Sequence, residues 1–307
     1  MESLIIGTRG SDLAVYQAKR VAQEINDFDE EIDVKIKKIE TKGDKILDKP
    51  LAEIGGKGVF LKEIEKYLIE GEIDLAVHSL KDVPTELPEG LDISAFFDAE
   101  DPRDCFVSLD YDDLDDLPSG SKIGTGSLRR RCQLLRKRQD IEVVNIRGNV
   151  DTRLEKLKSE DYDALILAAA GLKRLGREDY IKRYLSPESF LPAPGQGVLA
   201  VEVKEQDREL KDLLRRSEDE HLRAKMTVER NLLETLGGDC HVPVGCHCEI
   251  IKESLVLTAM IGSPNGLEYI QVKEKGELDR ASELGEVVAE RLLDAGGDRF
   301  LEDKDER

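Results

Sequence analysis

The sequence predicts an α/β protein made of two doubly wound lobes plus a small C-terminal α+β domain. Three observations carry that expectation. Short apolar runs such as Leu4-Ile5-Ile6 and Ile73–Val77 alternate with stretches whose apolar residues recur at helical spacing, the pattern that builds parallel sheets. The unit Ile6-Gly7-Thr8-Arg9-Gly10-Ser11-Asp12-Leu13 is echoed at Ile123-Gly124-Thr125-Gly126-Ser127-Leu128, each time a strand, a Gly-Thr turn and a serine opening a helix. Near the C-terminus, alternating strands and one helix replace that pattern.

In order, Leu4-Ile5-Ile6 is the first strand, and Gly7-Thr8-Arg9-Gly10-Ser11 turns into a helix capped by Ser11. Its apolar face includes Leu13, Ala14, Ala18, Val21, Ala22 and Ile25, with Gln17 among them. Such a turn offers unpaired backbone N–H groups to an anion. Val34–Ile39 is a second strand. Thr41–Val59 is longer than a compact connection needs and reads as a lid, with Lys57 set among Gly55, Gly56 and Gly58 to close over an anionic ligand. A helix over Phe60–Glu70 leads to the buried strand Ile73–Val77, which delivers His78, Ser79, Lys81 and Asp82 at its carboxyl end, where ligands of open α/β sheets bind. Val83-Pro84 discourages a helix there, and Lys81 is placed to favour an ionised Asp82. A solvated turn with a local ion pair is the plainer reading of the same residues.

Leu91–Phe97 is a further strand, and the polar run 98–104 reads as a hinge into the second lobe. There Asp161–Ala168 takes the place that Ile73–Val77 held in the first. Two such lobes, periplasmic-binding-protein-like in pattern, would face each other across a ligand cleft. Basic residues gather in the second: Arg129, Arg130, Arg131, Arg136, Lys137, Arg138, Arg147 and Arg153. Arg129 and Arg130 follow Ser127 at a helix start, where the dipole disfavours cations; a ligand bearing several carboxylates or phosphates would offset that cost. Arg136–Arg138 read as solvated. No Walker sequence and no complete Gly-x-Gly-x-x-Gly occurs, so nucleotide binding is set aside.

After the sharp turn Leu191–Gly197, Val198–Val203 is a strand crossing back to the first lobe, and Glu218–Glu234 is a helix opening the third domain. Cys240 then lies in a glycine-bounded loop, accessible as a nucleophile or a covalent attachment point. Cys240, His241, Cys246, His247 and Cys248 invite a zinc reading, yet their spacing matches no common finger and the last two open an alternating strand; no metal is expected. Strands near Leu255–Met260 and Tyr269–Val272 and a helix over Leu278–Leu293 complete the fold. The domains expected are 1–97 with a return segment 198–216, 98–197, and 217–307 carrying Cys240.

Composition excludes other classes. A net charge of −20 argues against non-specific nucleic-acid binding. No apolar run spans a bilayer, and Met1–Gly7 lacks a basic leader, so a cytoplasmic protein without a membrane partner is expected. Five cysteines, an odd number, favour reduced thiols. A monomer is expected.

Together these motifs resemble the porphobilinogen deaminase family over essentially the whole chain. In order they are Thr8-Arg9-Gly10-Ser11 with Gln17, Gly55-Gly56-Lys57-Gly58, His78–Pro84, Gly124–Arg130, Ile146–Leu154, Ala170-Gly171-Leu172-Lys173-Arg174-Leu175, Pro194-Gly195-Gln196-Gly197 and the Cys240 loop. One departure is Asp239, where the family usually has glycine. The resemblance implies an enzyme that condenses four porphobilinogen molecules onto a dipyrromethane cofactor, held by a thioether to Cys240. It also implies that Arg9, Arg129, Arg130, Arg147, Arg153 and Arg174 bind carboxylates with Lys57 and Lys81 assisting. Ser11, Gln17, Ser79, Thr125, Ser127, Gly171 and Gln196 would complete the binding set, and Asp82, with Lys81 beside it, would be catalytic. A non-enzymatic two-lobed anion sensor would explain the repeat and the arginines but not Cys240.

Overall fold

The computed structural model describes residues 2–40, 61–159, 161–237 and 242–301. The expected lid over Thr41–Val59, with Lys57, and the loop residues Asp239, Cys240 and His241 lie outside the described residues.

Strand β1 (Ser3–Arg9) leads into helix α1 (Asp12–Phe28), capped by Ser11 and burying Gln17, Ala18, Val21 and Ile25. Strand β2 (Asp33–Ile39) pairs in parallel with β1. Helix α2 (Lys62–Glu70) stops at Gly71, whose φ of 76° places it in the left-handed region that glycine adopts at little cost. Strand β3 (Leu75–Ser79) is parallel to β1 and starts and ends two residues later than the apolar run suggests, because a later strand pairs with His78 and Ser79. A single 3-10 turn, Leu80–Asp82, forms ahead of Val83-Pro84, where no helical turn was expected. Strand β4 (Leu91–Phe97) follows.

The second sheet begins with β5 (Asp104–Val107), so the predicted hinge ends inside a buried strand. Then come β6 (Lys122–Gly124), α3 (Leu128–Lys137) with Ser127 as its cap, β7 (Glu142–Val144), α4 (Val150–Ser159), β8 (Ala164–Ala168), α5 (Ala169–Arg174) and β9 (Ile181–Tyr184). Strand β10 (Leu199–Lys204) returns to the first sheet, as expected, and α6 (Arg208–Arg216) packs its Leu210 and Leu214 into the first core. Helix α7 (Glu220–Thr235) precedes the antiparallel sheet of β11 (Val244–Ile251), β12 (Ser254–Gly262) and β13 (Tyr269–Glu277), covered by α8 (Ala281–Leu292). Among the described residues no helix is long and apolar enough to cross a membrane.

The chain folds into two compact units, Met1–Glu100 with Gly197–Arg223, and Asp101–Gln196 with Ala224–Arg307. In the first, the strand order is β2-β1-β3-β10-β4; in the second unit's large sheet it is β7-β6-β8-β5-β9. The orders are equivalent position by position, and in both the fourth strand is antiparallel to its neighbours. Each sheet is covered on both faces. In the first, α1 and α6 pack on one side with Leu4, Ile6, Val77 and Val201, and α2 on the other with Ile73 and Ala76. In the second, Leu134 of α3 joins the cluster on one face, and Leu154 and Leu157 of α4 with Leu172 of α5 join that on the other.

The repeat extends to one backbone requirement. A Cβ on Gly7 would lie 2.3 Å from Ile73 Cδ1, and one on the equivalent Gly124 would lie 2.6 Å from Leu165 Cδ2. Gly10, by contrast, has nothing within 4 Å of a Cβ. Gly124→Ala is therefore expected to cost roughly 1–3 kcal/mol by overpacking, whereas Gly10→Ala stays within about 0.5 kcal/mol of wild type. Denaturant unfolding of the two variants checks this, and equal losses would contradict the packing described.

Candidate functional site

In the first unit the site residues gather at the carboxyl ends of β1 and β3, which are adjacent and parallel. Ser11 Oγ accepts a hydrogen bond from the Ala14 N–H (3.4 Å), and the buried Thr8 hydroxyl donates to the Ala14 carbonyl (3.0 Å), fixing the turn that carries Arg9. Gln17, on the buried face of α1, donates from Nε2 to Ser79 Oγ at 2.7 Å and so ties the helix to the end of β3. The Leu80 N–H donates to the Val198 carbonyl (2.9 Å), anchoring the turn that holds the half-buried Lys81 and the exposed Asp82. His78 departs from expectation. It is buried within β3, with Nε2 2.9 Å from Glu202 Oε2 of β10, because the strand runs past it and its side chain turns inward.

In the second unit, β7, β6 and β8 are parallel neighbours whose carboxyl ends carry further candidates. Arg147 and Arg153 follow β7, Thr125 and Ser127 follow β6, and Gly171 and Arg174 lie on α5 after β8. Arg153 Nε donates to the Gly148 carbonyl (2.8 Å). Gly148 has φ 114°, and a Cβ there would meet the Thr152 side chain at 2.6 Å, so only glycine fits. Ser127 Oγ accepts from the Arg130 N–H (3.4 Å) and its own N–H donates to Thr125 Oγ1 (3.2 Å), which sets the start of α3.

That start is the electrostatic centre of the unit. Arg129, Arg130 and Arg174 are buried. Arg129 Nη1 lies 2.6 Å from Asp104 Oδ2 and donates to the Leu191 carbonyl; Arg130 Nη2 lies 2.7 Å from Asp104 Oδ1, and its Nη1 donates to the Ile166 carbonyl. Gln196 Nε2 donates to Asp104 Oδ1 (3.0 Å) and to the Pro102 carbonyl (2.7 Å), while its Oε1 accepts from Arg130 (3.4 Å). Burial alone would raise the Asp104 carboxyl, but Arg129 and Arg130, with hydrogen bonds from Arg129 and Gln196, hold it far below the usual carboxylate range. Burial draws the Arg129 guanidinium down, yet arginine stays protonated in proteins, so both ions are charged. The cluster thus counts two cations against one anion, a net +1.

The expectation that a ligand alone would balance these arginines is corrected by Asp104, which sequence reasoning placed in a polar hinge. Its one signal was its position directly before the apolar run Cys105-Phe106-Val107. Arg136 and Arg138, read as solvated, are engaged: Arg136 stacks 4.1 Å from the Tyr269 ring centroid, and Arg138 pairs with Asp140 and donates to the Leu114 and Leu117 carbonyls.

Strand β11 closes on this cluster. The Cys246 N–H donates to the Pro192 carbonyl (3.0 Å), and a Cβ on Gly245 would touch Arg129 Cδ at 3.0 Å. Glu229 of α7, another residue missed, is fully buried; its Oε2 accepts from the Gly195 N–H (2.7 Å) and its Oε1 from the Cys248 N–H (2.9 Å). Burial lifts its carboxyl to about 7 against those two donors. Cys105, Cys132, Cys246 and Cys248 are buried free thiols, and burial pushes Cys105 to about 12 and Cys132 to about 11, as inert structural cysteines require. Among the described residues no His, Cys, Asp or Glu group could hold a metal ion.

Residues 4–212 match the family model "Porphobilinogen deaminase, dipyromethane cofactor binding domain", and residues 224–294 match "Porphobilinogen deaminase, C-terminal domain". The chain is 43% identical to the porphobilinogen deaminase of Staphylococcus carnosus over 98% of each chain. It is 45% identical to that of Syntrophobacter fumaroxidans, over 97% of this chain and 96% of that one. The enzyme of the same name from Oceanobacillus iheyensis is 44% identical over the full length of both. Solved structures of binding proteins are more distant, as with the methionine binding protein MetQ at 12% identity over 70% of this chain and 90% of that one, TM-score 0.44.

Asp104→Asn keeps the shape of the centre and removes the anion that Arg129 and Arg130 share, which is expected to cost about 3–5 kcal/mol at neutral pH, the penalty for breaking a buried pair. Because the folded state depresses the Asp104 pKa, its contribution is complete above the unfolded value of about 3.9 and is lost as pH falls through the lower folded value. The stability gap between wild type and Asp104→Asn is therefore expected to be level from pH 7 to about 4 and to close only below that. Denaturant titrations across this range check it.

Proposed function

The chain belongs to the porphobilinogen deaminase family, and on that premise we propose how its own residues carry the reaction. It is a transferase of tetrapyrrole biosynthesis that joins four porphobilinogen molecules head to tail on a dipyrromethane primer, releasing ammonia and yielding hydroxymethylbilane. When bound, the dipyrromethane supplies the pyrrole carbon to which the first substrate is joined.

The donor set suits such a ligand. Each pyrrole bears an acetate and a propionate, so a lengthening chain brings many carboxylates, and guanidinium forks bind these bidentately. In the second unit Arg129 and Arg130, with the excess positive charge of their cluster, bind carboxylates, as do Arg147, Arg153 and Arg174; in the first unit Arg9 has the same role, and Lys57 and Lys81 assist. Thr125 and Ser127 at the start of α3, Ser11 at the start of α1, Gln17 and Ser79 hold oxygen atoms of the ligand. Gly171 belongs to the same set, and Gln196 keeps Arg130 oriented. Cys240 forms the thioether that retains the primer. The observation that carries this assignment is the approach of Gly245, close after Cys240 in the chain, to Arg129.

Asp82 is the catalytic carboxylate. Loss of ammonia from substrate leaves a cationic pyrrole; Asp82 stabilises that charge and takes up the proton the ring releases, with Lys81 as its neighbour. Three domains divide this work, 1–97 with 198–216, 98–197 and 217–307, in a cytoplasmic monomer that needs no nucleic acid or membrane.

Intact-mass spectrometry of the denatured protein tests the covalent assignment, with an adduct of dipyrromethane size expected on the peptide containing Cys240. An unmodified chain, or an adduct on another cysteine, would contradict it. A second measurement separates chemistry from binding: Asp82→Asn is expected to lose about a hundredfold or more in turnover, as when a group stabilising transition-state charge is removed. Asp82→Glu, which keeps the charge one methylene away, is expected to retain part of it. Turnover of folded Asp82→Asn within a few-fold of wild type would remove Asp82 from the mechanism.

A further inference from the structure

Behind the turn that bears Asp82 lies a polar cluster buried in the first unit. Glu202 stands on β10 between Val201 and Val203, and its side chain is wholly removed from solvent. Its Oε2 is 2.9 Å from His78 Nε2, while its Oε1 is buried without a hydrogen-bond partner. The pairing of β10 with β4 shifts register between Val201 and Glu202, an irregularity of the kind that re-aims a side chain. Glu65 is buried on α2, whose Ile64 and Leu68 pack against Ala76 of β3. Glu202 on β10, His78 on β3 and Lys62 on its own helix act on it. From β1, the other strand beneath α2, Ile5 and Gly7 face this side, and the one charged residue of that alternation is Arg9 at the strand's end.

We propose that Glu65, Glu202 and His78 form a proton-sharing brace that holds the end of β3, which makes Glu65 and Glu202 positioning residues for the turnover assigned above to Asp82. Two carboxylates and one imidazole in a dry site cannot all be charged independently; the site takes up or gives away a proton as a unit. Ionising Glu65 adds a second carboxylate beside Glu202. Burial, aided by Glu202 and opposed by His78 and Lys62, lifts the Glu65 carboxyl to about 7, so this change falls in the physiological range. The consequence reaches the active turn through continuous strand. His78 precedes Ser79, which is held by Gln17, and Leu80 is tied to Val198 at the entry to β10. Any movement of His78 relative to Glu202 displaces the residues that carry Lys81 and Asp82.

This inference rests on the deaminase reading, and the test keeps the two apart by using one readout that needs no turnover. Because folding raises the Glu65 pKa, wild type loses stability as pH rises from about 4.3, the unfolded value, to about 7, and no more above that. Glu65→Gln removes this loss, so its Tm relative to wild type is expected to rise across that window by a few degrees and then level off. In the cofactor-loaded full chain, kcat and KM for porphobilinogen are measured between pH 5.5 and 8.5. A step in kcat near pH 7 is expected in wild type and absent from Glu65→Gln. Glu202→Gln is expected to lower kcat about tenfold or more with KM within about threefold, and Glu202→Asp, which keeps the charge, to recover part of that loss. Parallel Tm curves for wild type and Glu65→Gln would overturn proton sharing. Superimposable kcat profiles for those two proteins would overturn the positioning role, even if Glu202→Gln failed to fold. Wild type that turned over no porphobilinogen at any pH would instead overturn the deaminase reading, leaving the Tm comparison to judge the cluster.

Discussion

Two guanidinium groups at the first turn of one helix are opposed by mutual repulsion, by the helix dipole and by loss of water. They persist at the start of α3 because Asp104 meets both, 2.6 Å from Arg129 and 2.7 Å from Arg130. Remaining donors go to the Leu191 and Ile166 carbonyls and to Gln196, so the second unit is joined through a few charged hydrogen bonds. Asp104 pairs with Ala168 at the end of β8, Leu191 is clasped in turn by the Gln133 amide, and β11 lies against Arg129. Each of these elements takes its place from the same three ions.

In the reading proposed above, this arrangement is what lets an acidic chain attract carboxylates locally. A net charge of −20 spread over a surface is screened within about 10 Å at moderate salt. A buried cluster of net +1 is screened far less, and burial weakens the opposing charge of the nearby Glu229.

Local chemistry made much of the fold legible. Ser11 and Ser127 cap helices where their Gly-Thr turns said they would, β4 spans Leu91–Phe97 as read, and the two echoing motifs occupy equivalent strands of two sheets with equivalent order. What escaped depended on partners distant in sequence. His78 looks like an active-site residue until Glu202, on a strand that arrives much later in the chain, draws it inward. Asp104 sits among Asp101 and Arg103 and shares their polar appearance, yet only the helix bearing Arg129 reveals that it is buried. Helix α6 shows only Leu210 and Leu214 as buried residues amid charges, and β7 and β9 are too short for periodicity to mark them.

Strand β10 sits between β3 and β4 in the first sheet but is separated from them in sequence by the whole second sheet. As the chain leaves the ribosome, its first hundred residues emerge with a seam where that strand belongs, exposing the unpaired edges of β3 and β4. Antiparallel closure waits until residues 199–204 are synthesised, by which time the strands of the second sheet have already appeared. Domains fold as units, and edges left open on the way are where aggregation starts. The first lobe of this chain is therefore completed late, and its solubility during synthesis depends on a strand made only after the whole second sheet.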